Sequence, residues 1–285
     1  MKRSLKGYLI EKFDNMGTAY TCRRLVEEAG RGGVNLSLIG IRDCVVGPEG
    51  IVNRATLLDE CDCVINRYKC GMIKDAVNAL GRRSYNPLGL FDRYVNKALQ
   101  LPAVDMSLLA IPDYRLATTD TPFDELVAAL GLPFVAKGLE SSMGREIFLI
   151  SSRDDYQSLS TTFDSAKEFL FQRFVADSRG RDLRLFMIRG EAVAAMSRSS
   201  STDFRANVAL GARVEKVAVN GRLSEIAAMI WCSTGLDFAG IDLLFGPDDY
   251  YFCELNVMPG LEGIEAASGV NVAGAIVSMI NNDFR

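Results

Sequence analysis

Glu254 and Asn256 stand two residues apart in the run Tyr250-Tyr-Phe-Cys-Glu-Leu-Asn256. An extended chain projects both from one face. Upstream, Asp242 interrupts the apolar run Ala239-Gly-Ile-Asp-Leu-Leu-Phe245. Gly246-Pro-Asp-Asp249 lies between and has strong turn chemistry, so the two runs read as a β-hairpin. Positions 242 and 254 average to 248, inside that turn, so a symmetric hairpin sets Asp242 opposite Glu254. Directly opposed residues lie about 5 Å apart at Cβ. Two carboxylates that close repel unless a cation or a shared proton compensates. Oxygen-only donors suit Mg²⁺, which takes one or two carboxylates and completes its shell from substrate phosphates. A Mg²⁺–nucleotide site is therefore expected here. The plainer reading is three polar positions on a half-solvated hairpin.

A second set of residues has phosphate chemistry. Phe134-Val-Ala-Lys137 puts a lysine at the end of an apolar strand, and Glu140-Ser-Ser-Met-Gly144-Arg follows as a small flexible loop. Arg145 to Ile150 resumes strand character. Backbone N–H groups and hydroxyls in such a flap can wrap phosphate oxygens, and the lysine adds a point charge. A plain hairpin with a glycine turn accounts for the same pattern. Lys97, taken alone on its helix, reads as a solvated charge.

Composition narrows the chemistry. The chain has 285 residues, 48% of them hydrophobic, enough for two or three packed lobes. Net charge is −4 with no basic concentration, which argues against nucleic acid as the main partner. No apolar stretch has the length of a signal peptide or membrane span, so a cytoplasmic setting without membrane partners is expected. The seven cysteines are scattered, and Cys61-Asp-Cys63 with Cys70 lacks the CxxC spacing of a zinc or redox site. They read as reduced thiols. Histidine is absent, which removes Ser–His and Cys–His catalysis and His-ligated metals. An enzyme built from this chain works with carboxylates, Lys, Arg and an oxygen-bound ion.

The elements that must position these residues alternate between strand and helix. Gly7 to Ile10, Val34 to Ile41 and Cys63 to Asn66 read as strands; Thr18 to Ala29 and Met72 to Leu80 read as helices. That alternation predicts a mostly parallel sheet with covering helices over residues 1–88. Asn53, Asn66, Arg67 and Asn86 fall at strand or loop ends, where open α/β sheets often hold ligands. Further on, helices are expected over Phe91–Leu101, Arg153–Phe169, Leu223–Thr234 and Gly269–Ile280. Strands are expected over Leu170–Val175, Asp182–Ile188 and Ala192–Arg198, with Ser199 to Asn207 as an ordered loop. No GxGxxG or GxxxxGK[ST] pattern occurs.

These residues together resemble the ATP-grasp ligases, and among them the RimK-like amino-acid and peptide ligases. The likeness rests on Asn96-Lys97 followed by Ile111-Pro112, on Phe134-Val-Ala-Lys137, on Ser141-Ser-Met-Gly-Arg145 and on Phe171-Gln-Arg-Phe-Val175. It continues in Arg181-Asp-Leu-Arg184, Asp203-Phe-Arg-Ala-Asn207, Gly240-Ile-Asp242 and the long segment Cys253-Glu-Leu-Asn-Val-Met-Pro-Gly-Leu-Glu-Gly-Ile-Glu265. The resemblance implies an α/β (α+β) ATP-grasp fold, in which two α+β lobes grip ATP behind a small α/β pre-ATP-grasp domain. Residues 1–88, 89–170 and 171–285 would then be the N-terminal domain, the central lobe and the C-terminal lobe. It also implies roles. Lys97 and Lys137 contact the nucleotide phosphates, with Lys137 also near the adenine. Ser141, Ser142 and Gly144 belong to the flap over the triphosphate. Gln172, Arg173, Phe174 and Val175 form the hinge along the adenine edge, and Asp182 faces the ribose. Asp242, Glu254 and Asn256 hold two Mg²⁺, with Mn²⁺ a substitute. Arg184 and Arg205 lie against the acyl phosphate, and Arg198 and Asn207 contact phosphate.

The activity implied is ADP-forming ligation of a carboxylate to an amine through an acyl phosphate. It would add glutamate or another amino acid to a protein tail, a carrier protein or a small metabolite, in a protein that associates with copies of itself. Two departures from the pattern stand out: Arg173 replaces the usual hinge Glu, and Ala212 replaces a glycine often found after the Arg-x-Asn loop. The alternatives are a slow ATP-binding scaffold or sensor, and another ATP-grasp chemistry such as dipeptide ligation. Formation of ADP only when carboxylate and amine are both present separates the first of these from a ligase.

Overall fold

The computed structural model describes residues 4–12, 20–69, 71–141, 145–206 and 211–285. Ser142, Gly144 and Asn207 lie outside the described residues, as does Cys70.

The chain opens with β1 (Leu5–Glu11), α1 (Tyr20–Arg31) and β2 (Val34–Gly40). A small antiparallel sheet follows, formed by β3 (Cys44–Gly47), β4 (Gly50–Asn53) and β5 (Thr56–Leu57). Then come β6 (Cys61–Asn66), α2 (Met72–Ala79) and β7 (Gly81–Tyr85). β1, β2, β6 and β7 pair in parallel in the order β2-β1-β6-β7. β6 is buried along its whole length, as a central parallel strand covered on both faces should be. Its one charged residue, Asp62, accepts the Lys6 backbone N–H at 2.9 Å. β7 was not expected, because Gly-Arg-Arg-Ser has no apolar alternation; it lies at the sheet edge.

The expected helix from Phe91 to Leu101 is broken. α3 (Leu88–Val95) stops before Asn96, which is extended (φ −84°, ψ 121°) and whose side chain accepts from Ala98 N. Asn thus acts as a cap rather than an interior helical residue, and the short α4 (Lys97–Gln100) restarts behind it. Lys97 is therefore the first residue of a helix.

The middle sheet contains β8 (Tyr114–Thr118), β9 (Phe134–Gly138), β10 (Ile147–Ile150) and β11 (Glu168–Arg173), in the antiparallel order β10-β9-β11-β8. α5 (Phe123–Leu130) and α6 (Arg153–Thr162) cover it. α6 begins where expected, at a Ser152–Asp155 capping box, but ends before Phe163 rather than running to Phe169. Phe163 and Phe169 instead pack edge-on at 5.2 Å beneath the sheet. β11 runs across the 170/171 boundary expected from the sequence.

The third sheet has the order β14-β13-β12-β15-β16. Its strands are β12 (Arg181–Ile188), β13 (Glu191–Ser199), β14 (Arg213–Val217), β15 (Phe238–Phe245) and β16 (Tyr250–Asn256). Positive φ at Arg189 (45°) and Gly190 (83°) closes the β12–β13 hairpin. α7 (Gly221–Thr234) ends on Gly235 at φ 67°. The terminal helix expected from Gly269 is α9 (Val272–Asp283), which starts behind the Asn271 cap, and an unexpected short helix, α8 (Glu262–Ser268), precedes it and stops at Gly269.

This third sheet carries the molecule's core on both faces. One face packs Leu183, Leu185, Ile241 and Leu243 against Phe91, Tyr94 and Leu101 of the α3–α4 segment. The other packs Phe186, Ile188 and Phe238 with α9 and with Leu9, Cys63 and Tyr85 of the first sheet. Residues 90–104 thus pack beneath the third sheet, although the sequence grouped them with the central lobe.

Candidate active site

β15 and β16 bring Asp242 opposite Glu254, as the turn symmetry predicted. The route is not a regular hairpin. Near the turn the pairs are Phe245↔Tyr250 and Leu243↔Phe252, a register that would set Asp242 against Cys253. A bulge between Asp242 and Leu243 absorbs one extra residue of β16 and shifts the partner to Glu254. Bulges re-aim side chains in this way beside functional sites. Cys253, the extra residue, sits with Sγ 3.7 Å from Lys137 Nζ.

The cross-strand register builds a buried charge ladder. Arg184 pairs with Asp242 across β12–β15, and Asp182 pairs with Arg198 across β12–β13. Arg184 Nε and Nη2 donate to Asp242 Oδ1 and Oδ2 at 2.7 and 2.6 Å. Arg198 donates to both Asp182 oxygens at 2.6 and 2.7 Å, and Nη2 also reaches Asp242 Oδ2 at 3.0 Å. Asn256 Nδ2 lies 3.2 Å from Asp242 Oδ2 and 3.2 Å from Glu254 Oε1. Burial opposes ionisation of Asp242, but the Arg184 and Arg198 guanidinium groups outweigh it and hold the carboxyl below the usual range. Burial pushes the Asp182 carboxyl up to about 6 against the pull of Arg198.

The lysines converge on the same place. Lys97 Nζ is 3.7 Å from Glu254 Oε2 and donates to Ser141 O at 2.6 Å. Lys137, although 7% exposed, donates to Gln172 Oε1 at 2.7 Å. A cleft of about 950 Å³ joins these groups with Phe174, Val175, Arg184 and Arg205. Arg205 is held by Asp203, with Nη2 2.6 Å from Oδ2.

Two of the expected nucleotide contacts are already paired with each other. Arg198, expected at phosphate, is 2% exposed and donates to Asp182 and Asp242. Asp182, expected at the ribose, accepts from Arg198 in the same ladder, and both residues line the cleft. Arg173 turns its side chain outward to an ion pair with Asp113, and its N–H donates to Asp113 O at 2.8 Å. Of the asparagines at strand ends, Asn66 is tied to Asn78 and Ser84, and Asn53 to Gly40 O.

Two buried amides support the site: Gln100 went unread in the sequence, and Asn86 was noted there only as a strand-end position. Gln100, 2% exposed, closes its amide on the Leu255 peptide group: Leu255 N donates to Oε1 at 2.7 Å and Nε2 donates to Leu255 O at 2.9 Å. β16 is an edge strand, and this amide supplies the pairing that a further strand would give. Leu255 lies between Glu254 and Asn256, and Gln100 lies one turn after Lys97, so one side chain ties the lysine's helix to the acidic strand. The i, i+3 spacing of Lys97 and Gln100 was the available signal. Asn86, fully buried, brackets the same hairpin: Phe238 N donates to Oδ1 at 3.0 Å, and Nδ2 donates to Phe238 O at 2.9 Å and Val257 O at 3.3 Å.

Among the described residues, no group of three or more His, Cys, Asp or Glu is placed to hold a metal. The donor set at the hairpin is smaller: two carboxylates and one amide head, converging within hydrogen-bond distance. It fits an ion that takes the remainder of its shell from phosphate, as Mg²⁺ does.

A sheet bearing acidic residues, closed over a lysine-lined cleft by a second antiparallel sheet, defines the ATP-grasp class. The chain belongs to the RimK-like ATP-grasp family, whose domain model matches residues 96–280. A probable alpha-L-glutamate ligase of Thioalkalivibrio sulfidiphilus is 31% identical over 281 residues, covering 93% of each chain. One of Shewanella pealeana is 28% identical over 276 residues, 92% of this chain and 60% of the relative. The chain thus spans about 60% of the length of the first curated relatives it matches. Among solved structures, a macrocyclase from Microcystis aeruginosa bound with its precursor peptide superposes with a TM-score of 0.73 at 15% identity, over 98% of this chain and 100% of that one. An ATP-grasp ligase complexed with a minimal precursor, Mg and ADP gives 0.70 at 16% identity, over 98% and 97%. These likenesses establish the fold.

Proposed function

We propose that the protein is an ADP-forming ligase that joins a carboxylate to an amine through an acyl phosphate. The observation that carries this reading is the meeting of Asp242, Glu254 and Asn256 with Lys97 and Lys137 in one cleft. Lys97 and Lys137 hold the nucleotide's phosphates, each releasing its present partner to do so. Asp242, Glu254 and Asn256 would hold Mg²⁺ or Mn²⁺, which neutralises charge on the transferring phosphoryl oxygens. Arg184 is fixed in orientation by Asp242, so its positive charge is preorganised for the oxyanion rather than recruited from solvent. Arg205 adds a second cation from the 199–206 loop. Ser142, Gly144 and Asn207 keep the flap and phosphate roles that the family resemblance assigns them.

The amine attacks the acyl phosphate carbon, the C–N bond forms, the C–O bond to phosphate breaks, and inorganic phosphate leaves. A neutral amine and a good leaving group need no histidine. The relatives' names favour an α-amino acid as the amine and a carboxylate on a peptide, carrier or small molecule as the acid. No single described helix is long and apolar enough to cross a membrane. The described cysteines, Cys22, Cys44, Cys61, Cys63, Cys232 and Cys253, are free, in keeping with a reducing cytoplasmic setting.

The test is phosphate release and product mass with ATP, Mg²⁺ and a panel of carboxylates and amino acids. Asp242→Asn and Glu254→Ala should abolish amide formation. Unchanged ATP turnover in both variants would remove the site assignment, and ADP release without any amide would favour an ATP-binding scaffold.

A further inference from the structure

The first sheet contributes its own switch point to the cleft. In the order β2-β1-β6-β7, the chain leaves β1 toward one side and β6 toward the other, so the switch point lies between β1 and β6. Ligands of open α/β sheets bind at the carboxyl ends of the strands at such a point. Glu11 ends β1, Arg67 follows the last residue of β6, and Arg67 N donates to Ile10 O at 2.9 Å, which locks the two ends together. Both side chains line the cleft that holds Lys97 and Asp242.

Arg67 is incompletely used. Nη1 donates to Pro259 O at 3.0 Å, but Nε, 3.5 Å from Glu11 Oε2, is a buried donor without a hydrogen-bond acceptor. A buried donor left in this state calls for a partner. Pro259, whose carbonyl Arg67 grips, has its ring against the acidic sheet: a Cβ on Gly240 would lie 3.2 Å from Pro259 Cβ, 3.5 Å from Arg184 Nε and 3.5 Å from Asn256 Cβ.

We propose that Glu11 and Arg67 read the main-chain zwitterion of a free α-amino acid, the amine substrate of the ligase. An α-amino acid carries ammonium and carboxylate on one carbon. Arg67 takes the carboxylate with its unused Nε, and Glu11 takes the ammonium and accepts the proton that must leave before the nitrogen can attack, in the cleft that Arg184 also lines. This rests on the ligase reading above and names the substrate feature that the first sheet selects.

The experiment compares amide yield from an accepted amino acid with that from its decarboxylated amine, in the parent protein, Arg67→Met, Arg67→Lys and Glu11→Gln. The parent should prefer the amino acid by on the order of 10²-fold or more in kcat/KM, the scale of losing one partner of a buried charge pair. Arg67→Met should lose that preference through KM for the amino acid while KM for ATP stays put, and Arg67→Lys should restore part of it. Glu11→Gln should raise KM for the amino acid and leave the preference for a carboxylate in place. Equal use of both amines by the parent, or a preference that survives Arg67→Met in a protein with normal thermal unfolding, overturns the subsite while leaving the ligase intact. Absence of amide from any amine with the parent protein would instead defeat the ligase reading itself.

Discussion

Replacing Gln100 with methionine tests how the acidic strand is held. Methionine keeps the volume and removes the amide. Two backbone groups of Leu255 then lose their partners in a place where Leu255 is 4% exposed, and Tyr94 O loses a donor 2.7 Å away. A buried polar group left unpaired costs about 1–3 kcal/mol, so the two Leu255 groups together cost about 2–6 kcal/mol. For a chain of this size that lowers the unfolding midpoint by about 5–20 °C. Calorimetry of Gln100→Met measures it, and KM for Mg²⁺–ATP should rise because Glu254 and Asn256 flank the released peptide. Gln100→Glu refines the test. Its carboxyl keeps an acceptor for Leu255 N–H, but when ionised it faces carbonyl oxygens. That site raises the folded-state pKa above the unfolded value, so the variant's stability is greatest in acid and is lost as pH rises through the folded-state pKa. A midpoint unchanged by Gln100→Met, with KM also unchanged, would refute the clamp.

Two further predictions follow from charges away from the cleft and within it. Hydrogen bonds from Arg189 and Tyr85 hold the Asp283 carboxyl below its ordinary value. A depressed carboxylate contributes stability that is present above the unfolded value near 4 and is lost as pH falls; Asp283→Asn should therefore flatten the acid limb of unfolding midpoint against pH. Burial pushes the Cys253 thiol up to about 11, so it stays protonated at pH 8. Alkylation at that pH should label exposed Cys232 well before Cys253, and Mg²⁺–ATP should slow Cys253 further; rapid labelling of Cys253 in the presence of nucleotide would contradict its place in the cleft.

The acidic hairpin was legible because its turn chemistry and its intruding carboxylates are local. The predicted opposition of Asp242 and Glu254 holds through a bulge at Cys253 that no turn rule announces. Strand ends of the first sheet were readable from apolar runs, whereas β7 and the β3–β5 sheet were not: short polar strands carry too little alternation to mark themselves. α8 hides behind Pro259-Gly260, and the α3–α4 break depends on one Asn capping a helix that composition alone would continue. Lys97, Lys137 and the acidic residues do share a cleft. The mutual pairing of Arg198 and Asp182 went unread because it is a property of strand register, visible only once β12 and β13 are aligned. Gln100 and Asn86 act through backbone partners 155 and 152 positions away, beyond the reach of any motif.

On the proposed function, this cleft hands a terminal phosphoryl group to a carboxylate. An acid substrate labelled with ¹⁸O in its carboxylate, incubated with ATP, Mg²⁺ and an amino acid, reports that transfer. ADP, one amide per ATP, and one ¹⁸O atom carried from the acid into each inorganic phosphate are expected. Amide formation with unlabelled phosphate, or with AMP and pyrophosphate as the nucleotide products, would contradict it.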